Sequence, residues 1–267
     1  MPLLLLDIVL YSSDDPEASA VLIDDGVIAW TGPASTARAL FTGTPAIRAD
    51  GCLVSPSFVD ALPVGRTIAG RSGASAEGHE DPSVPAAGDG YAAPRAALGI
   101  TDVGPAASGR GMQDGVRIIV PMIDIAVDYL AEASGGTAIA FGSGGEDGSP
   151  WRWVRAASID ADPDKRISER AAFLAATRGG RRLLGQHHPG SLNPGAPADL
   201  VVWEPWDLTV RGNDERIQTW STDPRSRTPM LPDLTDGEPR ALLTMKDGEV
   251  VFDAGELDAP QALEPGE

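Results

Sequence analysis

The sequence predicts a β-sandwich assembled from both ends of the chain, with an α/β unit inserted between them. Residues 3–31 and 199–252 contain apolar, β-branched runs separated by tight-turn signals, whereas residues 58–185 alternate strand-like with helix-like runs. The chain has 267 residues, enough for one large domain or two small ones, and its 42% hydrophobic residues supply a core of ordinary size.

The terminal segments contain two hairpin signals. An Asp-Asp-Gly turn separates residues 20–23 from 27–31, and a Lys-Asp-Gly turn separates residues 241–245 from 249–252. Asp and Gly tolerate the positive φ that two-residue hairpin turns need. The apolar run 199–203 supplies a further strand. Because these strands are too apolar to be stable as isolated ribbons, we predict that they pack into one sandwich.

The middle of the chain predicts parallel strands alternating with helices. Short apolar runs typical of buried parallel strands fall at 58–64, 100–103, 116–120 and 137–141. Helical patterns fall at 92–98, 123–133, 151–157 and 169–184. The last helix has Ser168 as its N-cap and ends at Gly185, although it contains the pair Gly179 and Gly180. Residues 65–90 have no hydrophobic period and predict a long loop.

Charge and cysteine content narrow the classes of function. The chain carries 21 Lys and Arg against 39 Asp and Glu, a formal net charge of −18 at pH 7. Because nucleic acids and anionic membranes attract basic surfaces, neither is expected as a partner. Cys52 is the single cysteine, which excludes an internal disulfide and favours a reducing, cytoplasmic location. The apolar run Leu3–Leu6 is too short to span a membrane and is interpreted as a first strand.

Three segments resemble the amidohydrolase superfamily. Residues 50–60, Asp-Gly-Cys-Leu-Val-Ser-Pro-Ser-Phe-Val-Asp, are similar to that superfamily's entry into its first barrel strand. Residues 140–144, Ala-Phe-Gly-Ser-Gly, resemble its eighth strand. Residues 166–203 resemble its last helix and the return to its sandwich. Within the superfamily, the chain is most similar to the branch of N-substituted formamide deformylase-like (YtcJ-like) proteins.

The resemblance implies a domain division and a shortened barrel. Residues 1–57 and 186–267 would form the composite sandwich, and residues 58–185 would form a truncated, incomplete TIM-barrel-like (β/α) unit. A closed (β/α)₈ barrel needs about 250 residues, so the inserted segment has room for roughly four βα pairs. The four predicted strands resemble the family's first, second, seventh and eighth, which are contiguous in a closed barrel. We therefore expect half a barrel with open edges.

The resemblance also implies a metal centre, and the sequence departs from it. Members of the family hold a divalent metal with histidine nitrogens and carboxylate oxygens, which activates a bound water. The two histidine positions after Asp60 are occupied by Leu62 and Val64, and the aspartate position of strand eight is occupied by Gly144. None of these three side chains can ligate a metal. We therefore expect no metal at these positions and no other cofactor.

Four residues remain as candidates for catalysis. Asp60 would be either a catalytic carboxylate or a buried hydrogen-bond acceptor at the strand end. His79 lies beside two acids in the predicted loop and would be a general base or a solvated side chain. Glu146 and Asp147 would form a relocated acidic site or a flexible acidic turn. The other two histidines follow Gly185 and fit a polar loop.

Two functions from different classes follow. The first is a degenerate, non-catalytic amidohydrolase-like protein that serves as a binding or assembly subunit. Open strand edges and apolar faces are usually paired or covered, so a homo-oligomer or a complex with another protein is expected to cover the half-barrel over residues 92–160. The alternative is a hydrolase acting on carbon-nitrogen bonds other than peptide bonds, through a relocated or partner-completed site.

Overall fold

A computed structural model describes residues 1–63, 95–105, 109–210 and 228–264. The expectations for Val64, for His79 and for the loop at 65–90 lie outside these ranges. Within the described ranges, no helix is long and apolar enough to cross a membrane.

The strands are short and far outnumber the helices. In chain order they are β1 (Leu3–Leu6), β2 (Val9–Leu10), β3 (Ala20–Asp24), β4 (Val27–Gly32), β5 (Pro45–Arg48), β6 (Leu53–Pro56), β7 (Phe58–Asp60), β8 (Ile100–Val103), β9 (Gly111–Gln113), β10 (Val116–Ile119), β11 (Ala138–Phe141), β12 (Leu200–Trp203), β13 (Leu208–Thr209), β14 (Leu231–Pro232), β15 (Ala241–Lys246), β16 (Glu249–Asp253) and β17 (Gln261–Ala262). The helices are α1 (Ala34–Leu40), α2 (Tyr129–Ser134), α3 (Trp151–Arg155), α4 (Glu169–Leu174) and α5 (Gly180–Leu183), with π-helical turns at Ala156–Asp160 and Ala175–Gly179.

Both chain ends contribute strands to the same β layers. One five-stranded sheet has the order β17-β5-β1-β3-β4, and the other has the order β16-β15-β12-β6-β2. In the second sheet, β12 pairs antiparallel with both β6 and β15. Buried side chains from the two sheets share one apolar cluster that includes Leu5, Val21, Ile47, Val54, Val202 and Met245. The boundaries 1–57 with 186–267, and 58–185, stay a prediction.

The two predicted hairpins are present. Asp25 (φ 47°) and Gly26 (φ 81°) connect β3 to β4, and Asp247 (φ 48°) and Gly248 (φ 76°) connect β15 to β16. These left-handed conformations are the ones that a type I′ turn requires. The two turns also touch, because a Cβ on Gly26 would lie 2.8 Å from the Asp247 carbonyl oxygen. Glycine at position 26 therefore satisfies the turn conformation and the close contact together.

The inserted segment contains the four predicted strands, β8 with the predicted bounds and the other three shorter than predicted. β7 pairs parallel with β8, and β10 pairs parallel with β11. The Ala61 amide donates to the Phe141 carbonyl at 3.0 Å, which brings the end of β11 beside the end of β7. No closed barrel forms among the described strands.

One expected open edge is covered by the chain itself. β9 pairs antiparallel with β10 through a hairpin whose turn residues, Asp114 and Gly115, both have positive φ. The expectation of an open edge at β10 was therefore wrong, although the Asp-Gly signal for this hairpin is present in the sequence. On the other side, β8 has β7 as its strand partner within the described part of the chain.

The position of the N-cap residue explains why one helix prediction is accurate and another is wrong at its start. Ser168 caps α4 as predicted, since its Oγ accepts from the Ala171 amide at 3.2 Å. The helical run continues through a π-helical turn into α5 and ends before Gly185, whose φ is 67°. The predicted helix at 123–133 was wrong over its first half. There, the Asp128 carboxylate accepts from the Ala131 amide at 2.8 Å, so the helix begins only at Tyr129.

Gly179 and Gly180 let this helical run approach the sheet closely. A Cβ on Gly179 would lie 1.9 Å from the Ile139 carbonyl oxygen, and a Cβ on Gly180 would lie 2.5 Å from the Val59 Cβ. Because backbone would have to move, we expect Gly179→Ala to lower the free energy of unfolding by about 1–3 kcal/mol, measured by urea denaturation. Arg178→Ala, at the exposed preceding residue, is the control. Equal effects of the two substitutions would contradict this explanation.

Candidate functional site

The ends of β7 and β11 meet at Asp60, whose side chain is fully buried. One carboxylate oxygen accepts from the Ser143 amide at 2.8 Å and from the Leu62 amide at 3.1 Å. The other accepts from the Ser143 Oγ at 2.7 Å and from the Arg95 guanidinium. These four donors match the roughly four lone-pair sites that a carboxylate offers. The geometry favours the buried-acceptor interpretation of Asp60 over the catalytic one.

Two of the three vacant ligand positions, Leu62 and Gly144, lie near Asp60 and have no polar side chain. Leu62 is buried in a cluster that includes Val120 and Leu183. The Gly144 amide donates to the Leu62 carbonyl at 2.8 Å. A Cβ on Gly144 would lie 2.8 Å from the Val120 Cγ1, so apolar side chains already fill the space beside it. The fold therefore brings Asp60, Leu62 and Gly144 together, and Val64 lies outside the described residues.

A divalent metal does not fit the residues at this strand end. Zinc and similar ions need nitrogen, oxygen or sulfur ligands. Leu62 and Gly144 offer none in their side chains, and hydrogen-bond donors, one of them cationic, engage both oxygens of Asp60. In the described ranges, no group of three or more His, Cys, Asp and Glu is arranged to hold a metal ion.

Glu146 and Asp147 lie in the loop that follows Ser143. The Glu146 amide donates to the Ser143 carbonyl at 3.1 Å, so the chain turns sharply here. Both acidic side chains are exposed, whereas Asp60 is buried. The structure therefore places these two acids at the surface of the turn.

A second buried polar cluster, which the sequence analysis missed, surrounds Arg181. The Arg181 guanidinium is fully buried and donates to an Asp199 carboxylate oxygen at 2.9 Å and to the Ser57 Oγ at 2.7 Å. Asp102 lies 3.8 Å from the same guanidinium and accepts from the Lys246 ammonium at 2.8 Å. We call these five residues the Arg181 cluster. It connects β7 and β8 to the β15-β16 hairpin of the sandwich.

Burial and neighbouring charges shift the pKa values of Asp102 and of the nearby His188. Burial acts to raise the pKa of Asp102, but the hydrogen bond and charge of Lys246 outweigh it and hold this pKa below its usual value. Burial and the charge of Arg181 lower the pKa of His188, although Asp199 lies 4.0 Å away and acts in the opposite direction. Each carboxylate of the Arg181 cluster is paired with a cation, Asp199 with Arg181 and Asp102 with Lys246. The Arg181 cluster is therefore interpreted as structural.

Cys52 is not a nucleophile in the folded protein. Its side chain is buried, and burial, together with the charges of Asp50 and Glu204, raises the pKa of the thiol to about 11. Because the thiolate is the reactive species, we expect no labelling of Cys52 by a thiol reagent at pH 8 within minutes. Rapid labelling in denaturant is the control. Fast labelling of the native chain would contradict this assignment.

Comparisons with known proteins found one family-model match and several similar solved structures. Residues 144–252 match the model of an amidohydrolase family. No curated protein matches the chain at a significant level. An enamidase structure has a TM-score of 0.55 at 15% identity, covering 98% of this chain and 98% of that chain.

Two further structures show the same fold. Guanine deaminase from Escherichia coli has a TM-score of 0.55 at 14% identity, covering 95% of this chain and 99% of that chain. Triazine hydrolase from Arthrobacter aurescens has a TM-score of 0.53 at 13% identity, covering 99% and 96%. At these identities the likeness shows the fold alone, and the deformylase-like branch stays a prediction. This chain therefore shares with amidohydrolases a family-model match over residues 144–252 and an overall fold.

Proposed function

We propose that this protein is a degenerate, non-catalytic amidohydrolase-like protein that acts as a binding or assembly subunit. The observation that carries the proposal is the saturated carboxylate of Asp60, buried among Ser143, Leu62 and Arg95 where the resemblance places a metal centre. Barrel enzymes place their reacting groups at the carboxyl ends of the strands. Here the carboxyl end of β7 presents a carboxylate whose hydrogen-bonding sites are occupied, beside apolar side chains. This supports a role without hydrolysis.

The same proposal includes three finer assignments. The inserted segment 58–185 would be a shortened barrel, the chain would belong to the N-substituted formamide deformylase-like branch, and no metal would be bound at the strand-one and strand-eight positions. The short parallel strands β7, β8, β10 and β11 and the non-ligating side chains support these assignments.

The assembly role is supported by exposed apolar side chains around β9, β10 and α2. Four of them lie within the range 92–160 for which an interface is predicted, with exposed fractions of 61% for Met112, 42% for Ile123, 89% for Ile125 and 44% for Leu130. If these side chains form a contiguous patch, that patch would be typical of a protein interaction site. The partner would be a second copy or another protein, with an interface above ~1,000 Å².

The names of similar structures favour a second candidate function. Enamidase, guanine deaminase and triazine hydrolase are hydrolytic enzymes by name. By analogy, this chain would hydrolyse a carbon-nitrogen bond other than a peptide bond, with residues supplied by the acidic turn at Glu146 and Asp147 or by a partner chain. Fold analogy alone does not carry an activity from one protein to another.

Light scattering combined with hydrolysis assays tests both candidates. We expect a dimer or larger species at micromolar concentration that Ile125→Asp shifts towards monomer. Val250→Asp, at an exposed apolar residue of the sandwich, is the matched control and should leave the mass unchanged. We also expect no hydrolysis of amide, cyclic-amide or aminopurine substrates. A monomeric wild-type chain would contradict the assembly role, and turnover that is lost in Glu146→Gln or Asp147→Asn would favour the enzyme.

A further inference from the structure

We infer that the Arg95 guanidinium supplies, from within the chain, the positive charge that a metal ion would supply at the end of β7. The inference rests on the proposed absence of a metal. It assigns to Arg95 a role as the permanent counter-charge of Asp60, which closes this strand end to metal binding.

The buried charge of Asp60 needs a compensating cation. The Asp60 side chain is fully buried, and the Arg95 side chain is only 14% exposed. An ionised carboxylate is costly to bury unless a cation and hydrogen-bond donors compensate it. Ser143 and Leu62 donate through neutral groups, so Arg95 is the cationic donor to Asp60 among the described residues.

The Arg95 guanidinium contacts the strand end at two points. One terminal nitrogen of Arg95 donates to Asp60, and the other donates to the Pro63 carbonyl at 3.2 Å. The guanidinium therefore spans residues 60–63, the segment that contains the ligand position occupied by Leu62. A planar fork of donors suits such a two-point contact, whereas a lysine ammonium provides a point charge.

A metal ion would compete with the present hydrogen-bond donors for the Asp60 carboxylate. A metal ion bound to Asp60 would need a lone pair that now accepts a hydrogen bond from Ser143, Leu62 or Arg95. It would also stand beside the Arg95 cation, which repels it. Arg95 and a metal at Asp60 therefore exclude each other. The ion pair has a structural role as well, because Ser143 follows β11, Asp60 ends β7 and Arg95 precedes β8.

A double-mutant cycle on Asp60 and Arg95 tests the inference. We expect Arg95→Met to lower the folding equilibrium constant at least 100-fold, because it leaves Asp60 buried without a counter-charge. Asp60→Asn introduced into that variant should recover at least 10-fold of the loss, and Arg95→Lys should cost less than Arg95→Met. Arg155→Met with Asp160→Asn, at a largely exposed pair, is the control cycle and should show coupling of less than about 3-fold.

The outcomes separate this inference from the proposed function. Additive effects of Arg95→Met and Asp60→Asn would overturn the role of Arg95, whatever the metal content. Stoichiometric metal in the wild-type chain would overturn the proposed function together with this inference, whereas metal-free protein with additive effects would overturn the inference alone. If Arg95→Met does not fold, a folded double variant supports the inference and an unfolded double variant contradicts it.

Discussion

Replacing Arg181 with Met is expected to lower the free energy of unfolding by about 3–5 kcal/mol. Arg181 is fully buried, and its removal leaves the buried Asp199 carboxylate without its guanidinium partner. Urea denaturation measures the loss. Arg182→Met, at the exposed neighbour on the same helix, is the control and should change stability by less than about 0.5 kcal/mol. Similar effects of the two substitutions would show that the Arg181 cluster does not stabilise the fold.

The titration of His188 gives the Arg181 prediction a second readout. In the wild-type chain, burial and the charge of Arg181 hold the pKa of His188 below its usual 6.5. Because the folded protein then binds fewer protons than the unfolded one, this group makes stability fall as pH falls through the range between the two pKa values. In the Arg181→Met variant we expect the pKa of His188 to be higher than in the wild-type chain. NMR titration measures this pKa, and the His188→Gln variant identifies the His188 signal. An unchanged titration would contradict the electrostatic role of Arg181.

Replacing Trp151 with Ala is expected to cost about 3–5 kcal/mol of unfolding free energy. The fully buried Trp151 ring lies 5.0 Å from Phe58, 5.4 Å from Phe173 and 5.2 Å from Trp203, measured between ring centroids. These rings come from β7, α4 and β12, so Trp151 joins the inserted unit to the sandwich.

Two variants sharpen the Trp151 prediction. Trp151→Phe keeps part of the ring contact and should cost less than Trp151→Ala. Trp206→Ala removes a partly exposed indole outside this cluster and is the control. Denaturation followed by circular dichroism avoids the loss of fluorescence signal. A cost for Trp151→Ala no larger than that of Trp206→Ala would contradict the central position of this ring.

Local signals explain which elements were predictable. The turns at Asp25 and Asp247 were predictable because the residue types at two adjacent positions determine the backbone conformation. The cap at Ser168 was predictable for the same reason, since its partner is three residues away. The longer apolar strands were predictable as apolar runs, whereas the short strands β5, β9, β13, β14 and β17 were not predicted.

The remaining features depend on contacts between distant residues. The role of Arg181 was not predicted, because its partners Ser57, Asp102 and Asp199 are far away in sequence. Arg95 lay in a predicted helix without any sign that it would meet Asp60. The glycine pair at 179–180 suggested a weak helix, yet the structure shows that Gly179 permits close packing on β11 and Gly180 on β7.

Metal stoichiometry tests the central claim most directly. Purified protein would be incubated with excess zinc, manganese or iron(II), passed through a desalting column and analysed for metal per chain. We expect far less than one equivalent to be retained, with no change in the thermal unfolding midpoint, because Leu62, Gly144 and the saturated Asp60 leave no ligand set. Retention of one metal per chain, lost on chelation together with hydrolysis of a carbon-nitrogen bond, would contradict the account.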